Sequence, residues 1–312
     1  MSAILNIITP VFAVILVGYG IARTPKWTPD ATRYFNNFVF YVCLPTLLFG
    51  KLASGTAFDG VEPFIVVAYF GGGLISMLLM MVFSGLVFKR SGEERALMGM
   101  SAGFSNSVLL GLPLIVLTFG DVALGPITTM IAFNTLILLP TTIILLEIAH
   151  GRRKQKSITT IVLAPLAAML RNPILIAIVS GVAWSFTNIE FALPIDRFIN
   201  LMSGAAGPCA LFVLGASLAE YKFAGQPAET ASMIIAKLIV HPILVWLLCT
   251  KVFALDTLTT NVATMMAAVP VGATVFTLAQ QYRVFVGPVT SSILISTAIS
   301  AVSLAVVIGL LN

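Results

Sequence analysis

Two short stretches combine helix-breaking residues with uncharged polar side chains inside otherwise apolar sequence. One is Gly103-Phe-Ser105-Asn106-Ser107-Val-Leu-Leu-Gly111-Leu-Pro113; the other is Pro270-Val-Gly272-Ala-Thr274-Val-Phe276. Proline removes a backbone donor, and its ring clashes with the preceding turn. A helix broken this way presents a new N-terminus with unpaired N–H groups and a positive partial charge. Two such ends meeting at mid-membrane could hold a carboxylate without a full cation. Ser105, Asn106, Ser107 and Thr274 would orient it through hydrogen bonds. The plainer alternative is a pair of kinks that serve only helix packing, as Pro242 could in its own helix. No Asp, Glu, Lys or Arg occurs in 96–120 or 257–282, so the site is formally neutral. Hard cations prefer several oxygens, usually including carboxylate. Neutrality therefore weighs against tight sodium binding and suits an organic anion better.

The elements that carry these stretches belong to a membrane. Of 312 residues, 59% are hydrophobic and 9% charged, and the mean hydropathy is +1.05. A soluble domain carries about a quarter charged residues, and a disordered chain is poor in apolar ones. Ten apolar spans are read at 3–22, 32–53, 62–88, 95–118, 122–149, 173–190, 195–219, 229–250, 257–281 and 286–311. Each is near the length needed to cross the hydrocarbon core. The first has no basic leader and no small-residue cleavage site, so it reads as a retained span. The remaining loops are short and leave no room for a sizeable soluble domain. Three cysteines, Cys43, Cys209 and Cys249, all lie in apolar runs with no metal-binding spacing.

Charge sets the expected orientation. Thirteen of the seventeen basic residues fall in one alternating set of loops, which includes Arg152-Arg-Lys-Gln-Lys156 and Lys222. Three fall in the other set, and Lys237 lies inside the eighth span. The positive-inside rule then puts both termini outside the inner (cell) membrane. The net charge of +5 is a topology signal and not a nucleic-acid footprint.

The two halves resemble each other. Arg33-Tyr-Phe-Asn36 and Pro45-Thr-Leu-Leu-Phe49 in span 2 parallel Arg197-Phe-Ile-Asn200 and Pro208-Cys-Ala-Leu-Phe212 in span 7. Gly125-Pro126 and Gly287-Pro288 recur after the two broken stretches. Five spans separate the copies, so the halves would have opposite orientations. That is the inverted-repeat pattern of secondary transporters, whose sites lie at paired interrupted helices. The expected organisation is 1–149 as a first five-helix repeat, 150–172 as a cytoplasmic linker and 173–312 as a second repeat.

Several segments together carry a family resemblance. They are Trp27-Thr-Pro29-Asp30, Asn36-Asn-Phe38-Val39 with Pro45, Asn106-Ser-Val-Leu-Leu-Gly111-Leu-Pro113, Leu211-Phe-Val-Leu-Gly215-Ala-Ser-Leu, and Ala267-Ala-Val-Pro270-Val-Gly272 with Phe276, Ala279 and Tyr282. In this order they resemble the auxin efflux carrier family, which includes the plant PIN-type auxin exporters and bacterial carboxylate carriers. The resemblance implies an all-α polytopic membrane protein, with ten helices in two inverted repeats and two broken crossover helices, similar to the bile-acid:sodium symporter fold. It implies a scaffold of spans 1, 2, 6 and 7, often dimeric, and a transport unit of spans 3–5 and 8–10. Asn106 and Pro113 fall on the family's first crossover and Pro270 on its second. Gln280-Gln281 stands where PIN-type carriers tend to have a Lys-Glu pair, and Ser107 where a threonine is common. The substrate class implied is auxin, malonate, malate or a similar acid.

Other polar residues leave alternatives open. Lys237 and His241 share a helix face four residues apart. Lys237 could be a counter-charge or part of a proton relay; it could also snorkel to the cytoplasmic surface or pair with Glu147. His241 could carry a proton or bond a carbonyl. Pro45 and Pro208 could open spans 2 and 7 toward the site or be plain kinks. Gly71-Gly-Gly73 and Gly99-x-x-x-Gly103 suit close helix packing. The expected function is a secondary active transporter that moves a small organic anion by alternating access, with export favoured by a negative-inside potential. A sodium- or proton-coupled carboxylate importer is the alternative. A membrane-embedded enzyme is remote, since no nucleophile, paired-carboxylate or HExxH set appears. No cofactor, metal or nucleic-acid partner is expected beyond the anion and the bilayer.

Overall fold

The structure, a computed structural model, describes residues 2–54, 62–151, 171–221 and 223–311. Most of the expected linker lies outside the described residues, including Arg152, Arg153, Lys154 and Lys156, as do Asp59 and Lys222. The described elements are helical, and among them no named strand occurs. In chain order they are α1 (Ser2–Ala22), α2 (Pro29–Ala53), α3 (Phe64–Leu86), α4 (Gly92–Gly103), α5 (Ser107–Phe119) and α6 (Asp121–Ala149). There follow α7 (Pro173–Ser185), α8 (Leu193–Glu220), α9 (Pro227–Val252), α10 (Thr257–Ala268), α11 (Thr274–Tyr282) and α12 (Val286–Leu311). Seven of them, α1, α2, α3, α6, α8, α9 and α12, are long and apolar enough to cross a membrane. Large apolar side chains point outward along them: Leu16 is 67% exposed, Leu201 74% and Val302 68%. In water such surfaces would be unusual, whereas in lipid they are the expected exterior.

Three prolines share one local solution. Pro45, Pro113 and Pro242 each stand two residues beyond a π-turn, at Val39–Cys43, Ser107–Gly111 and Ala236–Val240. A proline cannot donate to the carbonyl four residues back, and its ring crowds that carbonyl. Widening the helix by one residue relieves the clash without ending the helix. Pro10 and Pro208, by contrast, sit inside continuous α-helix.

Two compact units divide the described chain, and each draws on both halves of the sequence. The first comprises Met1–Glu62, Val108–Ala132 and Leu170–Glu220. It contains α1, α2, the part of α5 from Val108, the start of α6, α7 and α8. Its helices approach through glycines. A Cβ on Gly18 would collide with the Phe212 carbonyl, and one on Gly215 with the Ile15 carbonyl, so α1 and α8 lie backbone to backbone. A Cβ on Gly181 would lie 2.9 Å from the Phe49 carbonyl oxygen, which brings α7 onto α2 in the same way.

The second unit comprises Pro63–Ser107, Phe133–Met169 and Tyr221–Asn312. Here α3 and α4 cross at the predicted glycines. A Cβ on Gly103 would lie 2.5 Å from the Gly73 carbonyl oxygen, and one on Gly99 would lie 2.9 Å from that of Met77. Gly72 gives α9 the same access, since its Cβ would be 2.7 Å from a methyl of Val245. The α3–α4 turn is fixed by a capping box between Ser91 and Glu94. Its Arg90 pairs with Glu94 and Glu229 and stacks over the Phe285 ring.

The α1–α8 contact generates a direct test. Gly215→Val should destabilise the protein by about 3 kcal/mol or more, because backbone, not a movable side chain, fills the space. Gly20→Ala, where nothing lies within 4 Å, should be neutral. Melting of the detergent-purified protein reads both; an unchanged midpoint in Gly215→Val would show that the helices need not approach so closely.

Candidate binding site at the two helix breaks

Within the second unit the two interrupted stretches lie against each other. Helix α10 stops at Ala268 because Val269 precedes a proline and takes the extended conformation that position favours, φ −60° and ψ 143°. Helix α4 stops at Gly103, and Phe104 is also extended, φ −102° and ψ 111°. The two extended segments pair as a single antiparallel bridge between Ser105 and Val271. The Asn106 amide donates to the Pro270 carbonyl at 2.9 Å, and the Gly272 amide donates to the Phe104 carbonyl at 3.0 Å. Backbone groups that each break frees are thus taken up by the other break. A third freed amide, that of Val271, donates to Ser296 Oγ of α12 at 3.2 Å. Gly272 is required by the closeness of the crossing. A Cβ there would lie 2.6 Å from the Phe104 ring and 2.9 Å from the Ser105 carbonyl oxygen.

The side chains at the crossing are buried and mostly paired. Ser105, Asn106 and Ser107 are 1%, 5% and 3% exposed. The Tyr69 hydroxyl of α3 donates to Ser105 Oγ at 3.3 Å. Asn134 of α6 donates from Nδ2 to Ser107 Oγ at 3.3 Å, and Ser107 Oγ lies 3.3 Å from the Ser105 carbonyl oxygen, to which it donates. Two groups are left over: Asn106 Nδ2 and Asn134 Oδ1 have no hydrogen-bond partner among the described residues. Buried polar groups are nearly always paired, and an unpaired one costs about 1–3 kcal/mol. An unpaired donor and an unpaired acceptor, on residues joined through Ser107 and the crossing, can be satisfied by a polar ligand.

The other predicted residues take different places. Thr274 opens α11, immediately after the crossing. Gly111 and Pro113 are buried in the first unit. There Pro113 and Pro208 line one apolar cavity of about 290 Å³ with Gly204, Gly207 and Leu211. Pro45 stands at the start of the α2 segment after its π-turn. Lys237 is fully buried. Its Nζ donates to the Ala267 carbonyl and lies 3.2 Å from His241 Nδ1. This corrects the snorkelling alternative, because the ammonium does not reach a surface. It also corrects the pairing with Glu147, whose carboxylate instead accepts from the Tyr282 hydroxyl at 2.8 Å. His241 is likewise fully buried, and its Nε2 has no partner.

Two members of the crossing, Tyr69 and Asn134, were not singled out by the sequence. Asn134 carried a usable signal, a lone amide in the apolar run Ile131-Ala-Phe-Asn134. Tyr69 did not, since a tyrosine between Val67-Ala68 and Phe70 reads as ordinary core.

Comparison with known proteins fits this architecture. The family described as "Membrane transport protein" matches residues 3–308. A "Putative malonate transporter" of Rhizobium meliloti (strain 1021) is 30% identical over 315 aligned positions, covering 100% of this chain and 96% of the relative. An "Uncharacterized transporter YfdV" of Escherichia coli (strain K12) is 24% identical, covering 92% of this chain and 91% of the relative. A "Lysosomal cholesterol signaling protein" of Mus musculus is 26% identical over 93% of this chain, which spans only 35% of that longer protein. With its helices apolar enough to cross a bilayer and its sequence matched from end to end, the chain is a multi-pass membrane protein that belongs to the auxin efflux carrier family of membrane transport proteins.

Proposed function

We propose that this protein is a secondary active carrier that moves a small carboxylate across the inner membrane by alternating access. The observation that carries the reading is the Asn106 side-chain amide, buried and unpaired beside the backbone bridge of the two breaks. A carboxylate oxygen accepting from Asn106 Nδ2 would fill that vacancy in hydrogen bonding. Ser105, Ser107, Pro270, Gly272 and Thr274 complete the proposed site within the second unit. The Rhizobium meliloti relative is named for malonate, and malonate is the probe of choice here. Ten passes follow if the seven long helices and α7 each cross once and the interrupted pairs α4–α5 and α10–α11 each make one further crossing. With α4–α5 and α10–α11 as equivalent elements, the halves 1–149 and 173–312 are inverted repeats joined by a cytoplasmic linker, and both termini lie outside. A homodimer would use the apolar outer faces of α1, α2, α7 and α8.

The energetics favour an anion. Within the breaks the chain contributes no formal charge, only amides, hydroxyls and helix ends. Such groups are aligned in advance and lose little on ligand binding. A negative-inside potential, worth about 2.3 kcal/mol per charge per 100 mV, then drives the anion outward. The unpaired Asn134 oxygen beside the Ser107 hydroxyl supports a second reading, a weak sodium site coupled to import. Sodium dependence of malonate binding separates the two.

Two outcomes test the reading. In proteoliposomes loaded with radiolabelled malonate, a potential negative on the loaded side should accelerate efflux several-fold. Flux that ignores potential and pH while requiring sodium would contradict the neutral anion site. Asn106→Ala should weaken malonate binding by about 1–3 kcal/mol, roughly 5- to 150-fold, as read by calorimetry on folded protein. Unchanged affinity would remove Asn106 from the site.

A further inference from the structure

A fully buried lysine in a membrane helix demands an explanation. No ion pair among the described residues involves Lys237. Its place is specific. In a continuing helix the Ala267 carbonyl would receive the Val271 amide. The break sends that amide to Ser296 Oγ instead, and Lys237 Nζ donates to Ala267 in its stead. The ammonium therefore caps the open carbonyl end of α10, where a helix favours positive charge. Three residues further on, the Pro270 carbonyl receives the Asn106 amide of the proposed carboxylate site.

Among the described residues packed against the pair, no carboxylate faces it. Helix α3 brings Tyr69, whose ring lies 5.9 Å from that of His241. Helices α10 and α12 carry no ionisable residue. Helix α4 has Glu93, Glu94 and Arg95 only in its first turn. On α9 itself Glu229 is held by Arg90, Cys249 is a buried free thiol, and Lys251 is exposed. Lys237 and His241 are thus left to share a proton with each other. A lysine ammonium has donors for both Ala267 and His241 Nδ1, provided the imidazole proton sits on Nε2. If the proton crosses to His241 Nδ1, the neutral amine accepts from it and the contact at 3.2 Å persists. If the proton leaves altogether, the contact also persists, and only the charge beneath α10 is lost.

We propose that Lys237 and His241 together hold one exchangeable proton that travels with the carboxylate, making the protein a proton–carboxylate symporter. This rests on the carrier reading above. The proton enters the pair from water on one side, its charge offsets that of the anion bound at the adjoining break, and it returns to water on the other side when the anion leaves. With malonate as the dianion, one proton leaves one net negative charge on the loaded carrier. Potential still drives export, while an acidic exterior drives accumulation.

The test uses the full-length protein in proteoliposomes with radiolabelled malonate and the potential clamped at zero. Net accumulation under an inward proton gradient and malonate exchange without a gradient are both measured. For the wild type, a gradient of one pH unit should raise accumulation by up to about tenfold. Lys237→Gln keeps a donor but cannot titrate, and Lys237→Arg keeps the charge but does not release its proton. Both should retain exchange and lose the gradient-driven accumulation. Protonation of malonate itself is the same in every variant, so it cannot produce that difference. If neither variant folds, His241→Gln serves instead and should shift the pH of half-maximal accumulation by about one unit. Exchange with undiminished gradient-driven accumulation in the Lys237 variants, or an unshifted profile in His241→Gln, would overturn the proton site while leaving the carrier reading intact. Absence of both flux and exchange in the wild type at every pH would overturn the carrier reading and the proton site with it.

Discussion

In hydrocarbon a backbone amide or carbonyl without a partner costs several kcal/mol, so helices that cross a membrane rarely stop inside it. This protein ends two helices, α4 and α10, against each other and lets each supply what the other lacks. Asn106 N–H meets the Pro270 carbonyl, Gly272 N–H meets the Phe104 carbonyl, and Ser296 takes the Val271 amide. The glycines follow from that exchange. Gly272 admits the Phe104 ring, while Gly73 and Gly103 let α3 and α4 come close enough to frame it. Lys237 answers the same demand from another direction, by capping a carbonyl that the break exposes.

Once the backbone is satisfied, what remains unpaired stands out. Among so many paired groups the Asn106 amide nitrogen and the Asn134 amide oxygen are exceptions. Under the proposed carrier function, a ligand that completed them would gain their hydrogen bonds without first displacing a protein partner. Such a ligand would also stabilise the crossing by satisfying those groups. That stabilisation is what a substrate can use to shift a conformational equilibrium.

The breaks were legible in the sequence because their causes are local. Pro270 forbids a backbone donor, and its neighbour Val269 is pushed out of the helical region. The small-residue stripes at Gly71–Gly73 and Gly99–Gly103 likewise marked the α3–α4 contact. The membrane class followed from composition alone. Less legible was anything that depended on three-dimensional neighbours. Tyr69 reaches Ser105 from 36 positions away, and nothing in its own surroundings announces this. Lys237 and His241 were readable as one face of one helix, but the partner that explains the lysine, the Ala267 carbonyl, is a backbone atom with no residue-type signature. The π-turns before Pro45, Pro113 and Pro242 were also hidden, since a proline in an apolar run predicts a disturbance without saying how the helix absorbs it. Packing into two units that each draw on both sequence halves does not follow from dividing the chain at the linker; only the family resemblance, with spans 1, 2, 6 and 7 grouped apart from spans 3–5 and 8–10, pointed to it, and it did not place Val108–Ala132 with the first group.

The most direct test is an experimental structure determined in saturating malonate. The account predicts ligand density at the crossing, with a carboxylate oxygen within hydrogen-bonding distance of Asn106 Nδ2 and the Ser105–Val271 bridge intact. Density confined to some other part of the molecule, or residues 104–106 and 269–273 forming continuous helix, would contradict it.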